Sequence, residues 1–256
     1  MKLKRVWVVG IFFVLIGLGI GNLARAEECI LNKSVFEGLQ QTGDPQSYLQ
    51  KIRQELSLRK ELISSVLDCA IEEASALKTS VDASSAPELQ RIALEISTLL
   101  GNSMEYYKFQ RKKIPDLGLE GSRDFASDIL VWRKGNYIPV AKTASNIILW
   151  SKNQALMRAA KSRLDQIGGA VTILKLIEND RIQNKWKEAN ISFDAARLEN
   201  KSAVQSFENF AHPEETLASI KRSLEYLSKT YEVLVNLVDE ISKLTSKIQQ
   251  PYENSF

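Results

Sequence analysis

The side chains that could carry out chemistry are few. The 256-residue chain holds one histidine, His212, and two cysteines, Cys29 and Cys69. Any Ser-His-Asp arrangement would have to use His212. That residue opens the run His212-Pro213-Glu214-Glu215, the pattern of a helix start with Pro at the first position and acids against the positive end of the dipole. It is read as an exposed turn residue. A ferritin-like di-iron site needs Glu-x-x-His on two helices, and zinc sites need more Cys and His ligands than this chain has. No P-loop, G-x-G-x-x-G or G-x-S-x-G motif occurs. Acid pairs such as Glu72-Glu73 and Asp239-Glu240 read as solvated helix faces, because general acid–base work would need them desolvated in a cleft. No catalytic residue, metal ligand or cofactor is assigned, and the chain is expected not to be an enzyme.

The cysteines point to structure instead. An even pair in an exported chain predicts one disulfide, Cys29 to Cys69. Closing a loop of that length, about 40 residues, would stabilise the fold by roughly 4 kcal/mol in the chain-entropy model.

Export is read from the first residues. Lys2, Lys4 and Arg5 precede an uncharged apolar run from Val6 to Gly21, and Ala24-Arg25-Ala26 closes it as a small-x-small cleavage motif. This is the layout of a secretory signal peptide over 1–26, cut between Ala26 and Glu27. The apolar run is short for a membrane span. The expected location is therefore periplasmic or extracellular, with a membrane-anchored form if the signal is retained, and no span once it is removed. The signal region holds four of the 34 Lys and Arg and none of the 31 Asp and Glu. The mature chain is thus within one charge of neutrality, which gives no global field toward nucleic acid or anionic lipid.

One cluster remains as a possible interaction patch. Tyr106, Tyr107, Trp132 and Tyr137 flank the chain's one irregular stretch, around Pro115, Gly118 and Gly121. Loops on a rigid scaffold often carry function.

The elements that position these residues read as helix throughout 27–256, taken as a single all-helical domain. Apolar residues recurring at three- and four-residue steps place helices at about 45–81, 86–110, 123–134, 140–167, 170–210 and 213–249. Ser85-x-x-Glu88 matches a capping box. Lys134-Gly135 looks like a helix stop, and Pro139 disfavours helix at Ile138. Gly168-Gly169 reads as a kink or short break, with a continuous but weakened helix as the alternative. The last helix carries the clearest seam: Leu217, Ile220, Leu224, Leu227, Tyr231, Leu234, Val238 and Ile241. Asn200 and Thr245 are the candidate polar residues within the seams.

The fold class expected is all-α, an elongated antiparallel helical bundle with long coiled-coil-like helices, preceded by a signal peptide. The function expected is that of a non-enzymatic scaffold or protein-interaction module of the periplasm or cell envelope. Its partner would be another protein or a second copy, met through the long helices. The alternative is a helical-bundle module that binds or senses a small ligand.

Overall fold

The computed structural model describes residues 45–84 and 86–249. The expected signal peptide, the cleavage site at Ala26 and Glu27, Cys29 and Ser85 lie outside the described residues. Among those described there is no strand. Six α-helices follow one another: α1 Pro45–Ala83, α2 Gln90–Arg111, α3 Leu119–Trp132, α4 Ile138–Ile173, α5 Asp180–Glu208 and α6 Pro213–Gln249. Short 3-10 turns at Pro87–Leu89, Ile114–Asp116 and Leu176–Glu178 precede α2, α3 and α5.

The chain divides into two compact units. The first gathers the described residues up to Ala83 with Ala93–Ser145, and the second joins Ser84–Ile92 to the residues from Asn146 onward.

In the first unit α1 and α2 are antiparallel. Lys78 Nζ donates to Ser97 Oγ at 2.8 Å, and Arg111 pairs with Asp68 at 3.0 Å, so positions rise on one helix as they fall on the other. The buried residues on α1, Leu67, Ala70, Ala74, Leu77 and Val81, alternate by three and four, as an amphipathic helix requires. Val66 and Leu49, apolar residues of the same helix, are exposed. α3 begins at Leu119, ahead of the start expected at 123. Ser122 does not cap it but sits inside it, its hydroxyl donating to the Leu119 carbonyl at 2.7 Å.

The expected stop at Lys134-Gly135 is not a stop. Arg133–Tyr137 forms one π-helical turn that carries α3 directly into α4, and the Ile138 N–H donates to the Arg133 carbonyl five residues back. The proline explains the wide turn. Pro139 lacks an N–H and crowds the carbonyl four residues before it, and a π-turn just ahead shifts the hydrogen-bond register past that position. Ile138 keeps helical dihedrals, φ −58° and ψ −43°.

In the second unit α4, α5 and α6 share one core. Met157, Ala160 and Leu164 of α4 meet Ala189, Phe193 and Ala196 of α5 and Leu227, Val233 and Leu234 of α6. α5 runs antiparallel to α6, since Glu199 pairs with Arg222 at 2.9 Å and Glu188 with Lys229 at 3.4 Å.

α4 does not break at Gly168-Gly169. It runs on to Ile173, and the chain turns at Lys175, whose φ of 53° is left-handed. Asn179 then caps α5, its Oδ1 accepting from the N–H groups of Arg181 at 3.1 Å and Ile182 at 3.3 Å. The fifth helix therefore begins at Asp180, not at 170. Gly168 serves packing: a Cβ there would stand 2.9 Å from the Trp186 ring.

The last helix buries a stripe offset from the expected seam. Ile220, Leu227 and Leu234 are buried and Ile241 is half-buried, as the pattern requires. The intervening buried positions are Thr216, Ser223, Thr230 and Leu237. Leu217, Leu224 and Tyr231 are only half-buried, and Val238 is exposed. Each lies one residue beyond the buried row. Both rows satisfy a three-four alternation, and hydrophobicity alone selects the wrong one, because three of these four intervening buried positions are Thr or Ser.

Candidate functional site

The structure does bring Tyr106, Tyr107, Trp132 and Tyr137 together. Tyr106 and Tyr107 are adjacent on α2, Trp132 ends α3, and the π-turn swings Tyr137 inward. The rings of Tyr106 and Trp132 stack, with centroids 3.7 Å apart and planes 13° from parallel. Tyr107 meets Trp132 edge-on at 5.3 Å and Tyr137 edge-on at 5.8 Å. The cluster is not, however, a surface patch. Tyr107 and Tyr137 are completely buried, and Tyr106 and Trp132 are half-buried. Tyr107 and Tyr137 thus belong to the first unit's core, while the stacked Tyr106 and Trp132 keep part of their surface exposed.

A charged pair beside them escaped the sequence reading. Arg133 Nη2 bonds Glu73 Oε2 of α1 at 2.5 Å, and its Nη1 donates to the Tyr107 hydroxyl at 3.3 Å. The guanidinium also lies over the Tyr137 ring, 4.6 Å from its centroid. Burial works against the Arg133 charge, but the bond to Glu73, the Glu73 charge and the Tyr107 contact together outweigh it and hold the guanidinium charged. Burial pushes the Tyr107 phenol up, only partly offset by its bond to Arg133. Burial pushes Tyr137 further up, and the negative charge of Glu73 adds to it. The Tyr137 hydroxyl is buried with no hydrogen-bond partner. An arrangement of this kind retains its protons near neutral pH and cross-links α1, α2 and the π-turn. No pattern marks Arg133 in sequence, because its partner stands sixty positions away.

A polar layer crosses the core of the second unit. Asn153 of α4 donates through Nδ2 to Asn200 Oδ1 of α5 at 3.0 Å and to Ser223 Oγ of α6 at 2.8 Å. Ser223 in turn donates to the Ala196 carbonyl at 2.8 Å. Trp150 Nε1 donates to the Asn200 carbonyl at 3.3 Å. All three polar side chains are buried, and Asn153 Oδ1 has no partner. Asn200 is thus a core residue, as the seam reading allowed. Asn153 and Ser223 were missed although each falls on a three-four position. Thr245 returns its hydroxyl to carbonyls of its own helix, Ile241 at 3.0 Å and Ser242 at 3.1 Å.

His212 is exposed at the start of α6 beside Glu214. Cys69 is half-buried on α1, and its expected partner Cys29 lies outside the described residues. Among the described residues no three His, Cys, Asp or Glu side chains gather as a metal site, and no helix is long and apolar enough to cross a membrane.

Comparison of the chain with protein-family models, with curated proteins and with solved structures finds no match.

Proposed function

We propose that this chain is an exported, non-enzymatic helical-bundle protein acting as a scaffold or protein-interaction module in the periplasm or cell envelope. One observation carries the reading. Two polar constellations that link different helices, the half-buried Glu73-Arg133-Tyr107 and the buried Asn153-Asn200-Ser223, are spent on joining helices to one another. Buried polar groups used this way fix helix register and rigidity. The three-four burial on α4, α5 and α6 supports a coiled-coil-like bundle, and the n-region, apolar run and Ala-x-Ala end support export.

Export and covalent state are tested together on protein recovered from its native envelope. Intact mass should place the new N-terminus at Glu27, and a non-reducing peptide map should join Cys29 to Cys69. Unprocessed protein in the cytosol would remove the reading. For the scaffold itself, the mature protein is used to capture material from envelope extract, with sedimentation to detect self-association. A stoichiometric protein partner or a stable oligomer is expected. Recovery of a bound metabolite alone would instead favour the second reading, a small-ligand module, for which the unpartnered Asn153 Oδ1 speaks.

A further inference from the structure

The clearest seam in the sequence is left partly open to solvent. Leu217, Leu224, Tyr231 and Val238 recur every seven residues on α6, yet the first three are only half-buried and Val238 is 45% exposed. Val235, 41% exposed, stands beside them. A helix packed on two neighbours needs one apolar stripe with polar edges. Toward α5 the edge of α6 is polar, since Arg222 and Lys229 pair with Glu199 and Glu188. Its other edge, toward α4, is apolar. Tyr231 stands there: burial pushes its phenol up, and the charge of Arg163 on α4 works against that. α4 adds Leu156 and Ile167, both half-buried and on the same helix face as Arg163.

Charges flank this apolar strip in an ordered way. On α6 the exposed acids Glu225, Glu232 and Asp239 each follow one residue after the apolar row. On α4 the face of Leu156 and Ile167 carries Lys152 and Arg163, both exposed. Among the described residues neither Arg163 nor Glu232 forms an ion pair; the Arg163 guanidinium donates to Gln166 of its own helix at 3.4 Å. Asn146 donates to the Pro213 carbonyl and Asn153 to Ser223, 67 and 70 positions further on. α4 and α6 therefore run parallel, and Arg163 lies level with Tyr231 and Glu232.

We infer that the strip between α4 and α6 is the interface of a parallel two-fold dimer, in which each α4 lies across the α6 of a second copy. The inference names the partner of the interaction-module reading and rests on it. A two-fold axis along the helices sets Arg163 of each chain against Glu232 of the other, and Lys152 toward Glu225. An antiparallel pairing would lay α6 on α6 and α4 on α4, acid against acid and base against base, so charge selects the parallel form. From Leu217 to Val238 the strip is about 32 Å long at 1.5 Å per residue and about 20 Å across two helices, so the dimer covers roughly 1,200 Å² in all, the lower end of a specific interface.

The test is sedimentation equilibrium of the mature protein over a concentration series in low salt, where exposed charges are least screened. The wild type should show a monomer–dimer equilibrium. R163E and E232R each bring like charges together twice per dimer, and each should weaken association about tenfold or more. An equimolar mixture of the two variants restores both opposite-charge contacts and should associate as the wild type does. Circular dichroism checks the helix content. Should either variant not fold, R163Q or E232Q takes its place in the single-variant measurement, with a weakening of about threefold expected. A wild type that stays monomeric at every concentration overturns the inference and leaves the interaction-module reading to the capture of another protein. A dimer that the charge variants leave intact, or a mixture that associates no better than its parts, overturns this interface, while the dimer itself still supports that reading.

Discussion

A Cβ built on Gly168 would stand 2.9 Å from Cζ2 of Trp186, whereas one on Gly169 would meet nothing within 4 Å. The two glycines adjoin in one helix and differ only in what faces them. Gly costs about 1 kcal/mol relative to Ala in a helix interior. Gly169→Ala should therefore stabilise the protein by roughly 0.5–1 kcal/mol. Gly168→Ala gains the same helix propensity but must displace a large ring packed against the core, and should be net destabilising. Urea unfolding of both variants decides it. If the two substitutions stabilise equally, the Trp186 contact has no energetic weight.

Leu237 and Val238 adjoin on α6 in the same way. Leu237 is fully buried against Val171 and Ile182, while Val238 is 45% exposed. Leu237→Ala should cost roughly 2–5 kcal/mol. Val238→Ala should change stability by no more than about 0.5 kcal/mol. Thermal unfolding of the pair reports which row of α6 faces the core. A larger loss at Val238 would restore the seam chosen on hydrophobicity.

These pairs show where the sequence is readable. Helix content and the existence of long amphipathic segments follow from spacing alone, because three-four recurrence has one geometric meaning. The face is harder. On α6 the rows 217-224-231-238 and 216-223-230-237 are one residue apart, and three of the four residues in the true row are Thr or Ser. Breaks are harder again. Gly135 and Gly168 look like stops but sit in helix, because Pro139 is absorbed by a π-turn and Trp186 needs the space over Gly168. The real break at Lys175 has left-handed φ without a glycine. The aromatic cluster was legible as a set, but not the burial of Tyr107 and Tyr137, since their surroundings include Glu73, brought in by α1 from sixty positions before Arg133.

The buried phenols make the first unit sensitive to alkali. Burial raises both Tyr107 and Tyr137 above the ordinary value of 10.0. A folded-state pKa raised above the unfolded one gives stability that is whole below pH 10 and is lost as pH climbs toward the folded value. The phenolate absorbance of these two rings should therefore appear together with loss of helical dichroism, not before it. Tyr137→Phe removes a hydroxyl that has no partner. It should leave stability unchanged or raise it by about 1 kcal/mol, with a later alkaline transition. Arg133→Met should be the opposite, costing roughly 1–3 kcal/mol by removing the charge-assisted bonds to half-buried Glu73 and to Tyr107. Ionisation of every tyrosine ahead of unfolding would show that the cluster is open to solvent.

The polar layer of the second unit separates stability from specificity. Asn153→Ala removes the donor to both Asn200 and Ser223, leaving two buried acceptors unmet. It should cost about 1–3 kcal/mol, before any cavity is counted. Replacing the whole layer, as N153L/N200L/S223A, removes every stranded group, including the unpartnered Asn153 Oδ1. That variant should be more stable than the single one, and at least as stable as wild type if the leucines pack. What it should lose is a unique arrangement. With this layer apolar, one-heptad shifts and pairing between chains are no longer opposed by the Asn153 and Asn200 amides. Sedimentation of the triple variant should then show species larger than those of the wild type at equal concentration. A triple variant that is less stable than Asn153→Ala, or one that sediments as the wild type does, would mean the asparagines act through bond energy alone and not by fixing the register of α4, α5 and α6.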